Sequence, residues 1–144
     1  MIERGHFDWD AIAIKAGTTA DPAAGAQLAT ITVPANRRWQ FWGIELVLVA
    51  DAGGADRSFV GQLLIAGGSY TTYQTNAGVA IAATQTKLQS FIAGSLLTTA
   101  GTQYGMHIPL IELPAGAKIT IYCSNLAAGD NISAATYWYK EAPG

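Results

Sequence analysis

Charge is what this sequence has least of. Only 12% of its 144 residues are Asp, Glu, Lys or Arg, and 8 basic against 10 acidic residues leave a formal net charge of −2. Soluble domains usually carry roughly 25%. No basic stripe exists, which argues against a nucleic-acid partner, and no acidic run marks a tail. One cysteine, Cys123, rules out an internal disulfide. In an alternating strand it reads as a small buried hydrophobe rather than a nucleophile. The histidines, His6 and His107, stand alone with no Cys or carboxylate at metal-ligand spacing. They read as surface or interface residues.

Long apolar runs are also missing. No window approaches the ~18 consecutive apolar residues of a membrane helix. The longest candidate, Trp39 to Ala50, is too short and contains Glu45. The opening "MIERGHFDWD" is charged and lacks the apolar centre of a secretion signal, so the expectation is a soluble protein made in the cytoplasm. Without such a signal the sequon at Asn131, "NIS", means little. "AGGADR" and "IAGG" do not match either phosphate-loop pattern. "DAGGAD" and "AGDN" lack the ligand density of a calcium loop and would form a weak cation site at most. No cofactor and no metal are expected.

What remains is apolar, neutral and rich in strand formers. Half the residues are apolar, and turn signals punctuate the chain at the spacing of an all-β sandwich or barrel. Strands are expected at 11–17, 27–33, 38–50, 57–67, 117–125 and 132–141, with ordered structure also at 103–116. The loop at 19–26 is built on Asp21-Pro22 and Gly25. "PANR" (34–37) is a turn, and "DAGGAD" (51–56) is a hairpin loop. Residues 68–100 read as loop and strand, with a short helix through Ile81, Leu88 and Ile92 as the minority reading. One domain is expected: residues 1–30 as an N-terminal arm with the first strands, and 31–144 as the sandwich proper. Two stretches echo each other, "ITVPANRRWQFW" (31–42) and "IELPAGAKITIY" (111–122). Each carries a Val/Leu-Pro-Ala corner, a basic residue and an alternating strand ending in an aromatic. Two similar corners of one sandwich, or simply a common turn, would account for this.

The strand 38–50 is apolar on both faces. Trp39, Phe41, Gly43, Glu45, Val47 and Val49 would share one face. Gln40, Trp42, Ile44, Leu46, Leu48 and Ala50 would share the other, cleaner core face. A strand apolar on both sides is buried on both sides, but a two-layer sandwich covers only one. Exposing Trp39, Phe41, Val47 and Val49 would make a patch that monomers rarely tolerate. A contact with another copy is therefore expected, through Arg37, Arg38, Trp39, Phe41, Val47 and Val49, since aromatics and arginine are enriched in such interfaces. The alternative is that residues 1–30 fold over this face. The closing strand offers Tyr137, Trp138 and Tyr139 as an aromatic contact face, either packed or available to stack on a sugar. Glu45 and Glu112 would be the acid pair if the chain were a hydrolase.

"ITVPANRRWQFWGIELVLVADAGGADRSFVGQLLIAGG" and "LPAGAKITIYCSNLAAGDNISAATYWYKE" together resemble the small structural proteins of tailed-bacteriophage virions. The resemblance covers residues 31–67 and 108–141 and consists mainly of turn chemistry. It implies a jelly-roll-like antiparallel β-sandwich that decorates or cements a capsid, commonly as a homotrimer, with the major capsid protein as partner and the virion as location. Neither nucleic acid nor membrane is an implied partner. Two other classes compete: a tail- or fibre-associated carbohydrate- or receptor-binding module, and the less expected hydrolase.

Overall fold

The computed structural model describes residues 8–65, 70–76, 80–93, 98–100 and 103–144. His6 lies outside them. After a 3-10 turn at Trp9–Ala11 the regular elements among the described residues are all strands: β1 (Lys15–Thr18), β2 (Ile31–Thr32), β3 (Arg37–Val49), β4 (Phe59–Ile65), β5 (Tyr70–Asn76), β6 (Thr86–Ala93), β7 (Thr98–Ala100), β8 (Gln103–Ile108), β9 (Glu112–Leu113), β10 (Lys118–Cys123), β11 (Asn131–Ile132) and β12 (Thr136–Pro143). The middle of the chain thus forms strands rather than a helix. Leu88 and Ile92 lie on β6, and Ile81 is buried where it bridges Arg57.

The strands form two sheets, β1-β12-β3-β6-β8-β7 and β2-β10-β4-β5, with β9 and β11 pairing along β3. Counting only the eight principal strands β1–β6, β10 and β12, the orders are 1-8-3-6 and 2-7-4-5. Two interlocked Greek keys produce this arrangement, so the sandwich is a jelly roll. All pairs among those eight are antiparallel. β8 departs from the expected antiparallel sandwich by adding to β6 in parallel. Its connection from β6 runs through β7, which pairs antiparallel with β8 from the far side.

The two Pro-Ala corners meet at one end of the sandwich. Pro34 O accepts the Arg37 N–H at 3.3 Å, and Pro114 O accepts the Ala117 N–H at 3.1 Å. The third residue of each corner is left-handed, with φ of 58° at Asn36 and 80° at Gly116. A turn with positive φ there requires Gly or Asn. The corners are also bonded to each other: Val33 N–H donates to Ala117 O and Gly116 N–H to Val33 O, both at 2.9 Å. The sequence echo therefore marks two like turns standing side by side.

The opposite end is tied by a buried ion pair that sequence reading missed. Arg57, fully buried before β4, donates from Nε to Asp130 Oδ2 and from Nη2 to Asp130 Oδ1, both at 2.8 Å. It also donates to Gly53 O. Asp130 accepts the N–H groups of Asp51 (2.7 Å) and Ala127 (2.8 Å) as well. One carboxylate thus holds the β3–β4 and β10–β11 loops together. Burial pushes its pKa up, but the hydrogen bonds from Arg57 and the two backbone N–H groups outweigh that and hold it below the ordinary value. The Asp130 hydrogen bond in turn raises Arg57 against its own desolvation.

The core between the sheets is built from Phe41, Ile44, Leu46 and Leu48 of β3, Phe59 and Leu63 of β4, Phe91 of β6, and Ile119, Ile121 and Cys123 of β10, with the fully buried Gln89 of β6 as a polar member. The β10 side chains face as simple alternation predicts. β3 does not. Its partner register shifts between Trp138, opposite Gly43, and Tyr139, opposite Phe41, leaving Trp42 unpaired. This is a β-bulge, and one extra residue reverses which parity faces inward. Trp39 (3% exposed) and Phe41 (1%) point into the core ahead of the bulge, and Ile44, Leu46 and Leu48 point in after it. The expectation that Trp39, Phe41, Val47 and Val49 share a face is therefore corrected. The strand has one buried face whose parity changes midway.

A candidate contact face on the outer side of the larger sheet

With the bulge in place, the outward residues of β3 are Gln40, Trp42, Gly43, Glu45, Val47 and Val49. Their cross-strand neighbours on the same side are Trp138 beside Gly43, Ile92 beside Gly43, Ser90 beside Glu45 and Leu88 beside Val47. Gly43 is required by this crowding: a Cβ there would meet Phe91 O at 2.8 Å and the Ile92 side chain at 3.1 Å.

The chain covers one half of this face itself. Lys140, pointing out from β12 and nearly buried, donates from Nζ to Trp9 O at 2.8 Å and lies 5.5 Å from the Trp42 ring centre. Trp9 Nε1 donates to Glu112 Oε2 (3.1 Å), and Arg38 Nη1 pairs with Glu112 Oε1 at 3.0 Å while its guanidinium sits 5.9 Å from the Trp9 ring. Ala142, also outward, is buried. Folding of the N-terminal residues across the sheet, the alternative raised from sequence, thus occurs at the Arg38 end.

The other half stays open. Ile14 (50% exposed), Trp42, Ile92 and Trp138 line an apolar recess of about 260 Å³. Further along, Val47 and Leu88 are half-buried and Val49 is 46% exposed. Of the six residues expected at a subunit contact, the structure therefore places Val47 and Val49 on this surface. Arg37 is exposed and Arg38 half-buried at the corner end, and Trp39 and Phe41 lie inside. Trp42, Ile92 and Ile14 were missed. Trp42 was assigned to the core face, and only knowledge of the bulge would have moved it.

The aromatic triad of β12 does not form one platform. Tyr137 and Tyr139 point to the core side and stack with Trp39, with ring centres 6.1 and 3.9 Å away. Trp138 points outward into the recess. Beside the stack, Glu141 accepts from Trp39 Nε1 at 2.8 Å and from Lys15 Nζ at 3.0 Å, and these bonds lower its pKa. The two acids considered for hydrolysis are far apart. Glu45 is five β3 positions from Gln40, the residue opposite Glu112, or roughly 16 Å along the strand. Glycosidase carboxyls stand about 5–9.5 Å apart. Cys123 is buried, and its thiol is pushed up to about 12, by burial first and by Asp130 second. His107 is exposed on β8. Among the described residues no group of three His, Cys, Asp or Glu side chains could hold a metal ion. No helix among them is long and apolar enough to cross a membrane.

No protein-family model matches the chain, and no curated protein does. The chain is similar in structure to a chain of the T13 particle of infectious bursal disease virus (IBDV). That match has 12% identity and a TM-score of 0.43, over 88% of this chain and 31% of the viral one. It is similar also to a chain of the Gx strain of that virus, at 16% identity and TM-score 0.45, over 90% of this chain and 31% of that one. The chain spans about a third of the length of the viral chains it matches. Likeness at this level assigns neither family nor function.

Proposed function

We propose that this chain is a structural component of a virion: a decoration or cement protein that sits on a phage capsid as a homo-oligomer, with the trimer as the preferred state. The observation that carries the reading is the half-open outer face of the larger sheet. Ile14, Trp42, Ile92 and Trp138 line an apolar recess, and Val47 and Val49 lie beyond Glu45 on the same face of a protein otherwise short of charge. Burying one such large side chain is worth roughly 1.5–3 kcal/mol, so a second surface that covers several of them gains enough to hold. A nearly neutral molecule pays little repulsion when many copies crowd on a lattice, and repeated weak contacts add by avidity. The Pro-Ala corners on which the resemblance to phage structural proteins rests form two turns bonded to each other.

The test is co-sedimentation with empty heads of a tailed phage, comparing wild type with Trp42→Ser. Saturable binding that weakens in the variant supports the reading. Wild-type protein that stays in the supernatant at every concentration contradicts it. The competing carbohydrate-binding reading loses its expected platform, because Tyr137 and Tyr139 lie on the opposite side of β12 from Trp138.

A further inference from the structure

The outer face of the smaller sheet is built differently. Outward from β10 come Thr120 and Tyr122, from β4 Gln62, and from β5 Gln74, with Gln27 and Thr30 on the approach to β2. Together they line a shallow trough of about 570 Å³, within the range of small-ligand sites. Leu28 and Ile121, both buried, also line it. None of the lining residues is charged.

We infer that this trough is a binding site for a neutral oligosaccharide. Tyr122 is 54% exposed and offers an apolar plane for a sugar ring to stack on. Next to it runs a ladder of neutral polar groups. Thr120 Oγ1 donates to Gln62 Oε1 at 3.3 Å, and Gln62 Nε2 donates to Gln74 Oε1 at 2.8 Å. Gln27 is clamped at both ends of its amide, donating to Cys123 O (2.8 Å) and accepting from Cys123 N–H (2.9 Å). Amides and hydroxyls both donate and accept, as sugar hydroxyls do, so the two chemistries match without charge. Tyr122, Thr120, Gln62 and Gln74 stand on three paired strands rather than on loops, which lowers the entropic cost of fixing them on a ligand. Single-stranded nucleic acid could also stack on a tyrosine, but phosphates require basic side chains and the trough lines itself with none. This site is on the sheet opposite the contact face and does not depend on the virion reading.

The experiment is binding of the full chain to an array of neutral glucan, mannan, galactan and N-acetylglucosamine oligomers, with heparin as the anionic comparator. Binding to at least one neutral oligomer is expected, undiminished by raised salt. Tyr122→Ala should weaken it by about tenfold or more, Gln62→Ala should weaken it too, and Tyr122→Phe should retain it. Thermal denaturation of each variant checks that the fold is intact. No retention of any neutral oligomer, preference for heparin, or binding unchanged by Tyr122→Ala would overturn the inference. So would a change of oligomeric state in Tyr122→Ala without glycan binding, since the occupant would then be another copy of the chain.

Discussion

Two single residues carry consequences larger than their size. Asp130 neutralises a fully buried guanidinium, and removing its charge leaves Arg57 buried without a counter-ion, among the costliest changes a small domain can suffer. Asp130→Asn should lower the thermal midpoint by on the order of 10 °C. The pH dependence follows from the depressed carboxyl. Its stabilisation is fully present above the unfolded value, about 3.9, and is lost as pH falls through the lower folded value. Wild-type midpoints measured across that acid range should fall more steeply than those of Asp130→Asn; parallel curves would contradict the assignment. Cys123 gives a second test. With its thiol raised to about 12 by burial, it should react with a thiol reagent at neutral pH only at the rate of unfolding. Rapid native labelling would show that the strand opens. Neither Arg57–Asp130 nor the Tyr122 trough was legible in the sequence. Arg57 and Asp130 are 73 residues apart, one at the start of an expected strand and the other in a turn, and nothing in the strand 117–125 signals what lies beside Tyr122.

At the scale of elements, much was legible. The alternation of Ile119, Ile121 and Cys123 gave β10 its inward face, and the repeated Pro-Ala corners located two turns that proved to touch. Their conformational demand is testable. Gly116→Ala puts a Cβ on a left-handed residue and should cost about 1–2 kcal/mol, whereas Asn36→Gly should be close to neutral; denaturant titration measures both. The β3 bulge was illegible, because inserting one residue against a partner leaves no composition signature. Its effect is that a strand apolar in both parities needs only one buried face. Trp39 and Phe41 therefore need no second copy to cover them, and the residues left for a contact are Trp42, Ile92, Val47 and Val49. Gly43 holds the crowded turn of that bulge against Phe91 and Ile92. Gly43→Ala should destabilise by about 1–3 kcal/mol, and an unchanged unfolding free energy would mean that β6 yields easily.

For the whole molecule, the two sheets of the jelly roll present different outer faces. The smaller sheet shows an uncharged polar trough. The larger shows an apolar field, half sealed by the chain's own Trp9 arm and half open. Open apolar surface on a nearly neutral molecule favours association with a matching surface, and the central claim is that another copy of this chain supplies it. Light scattering on a sizing column, over a wide range of concentrations, tests this most directly. The account predicts an oligomer of the 15.1 kDa chain, three copies in the preferred form, which dissociates to folded monomers when Val49→Lys and Ile92→Lys are combined. A wild-type monomer at every concentration, or an oligomer indifferent to the two lysines, would contradict it.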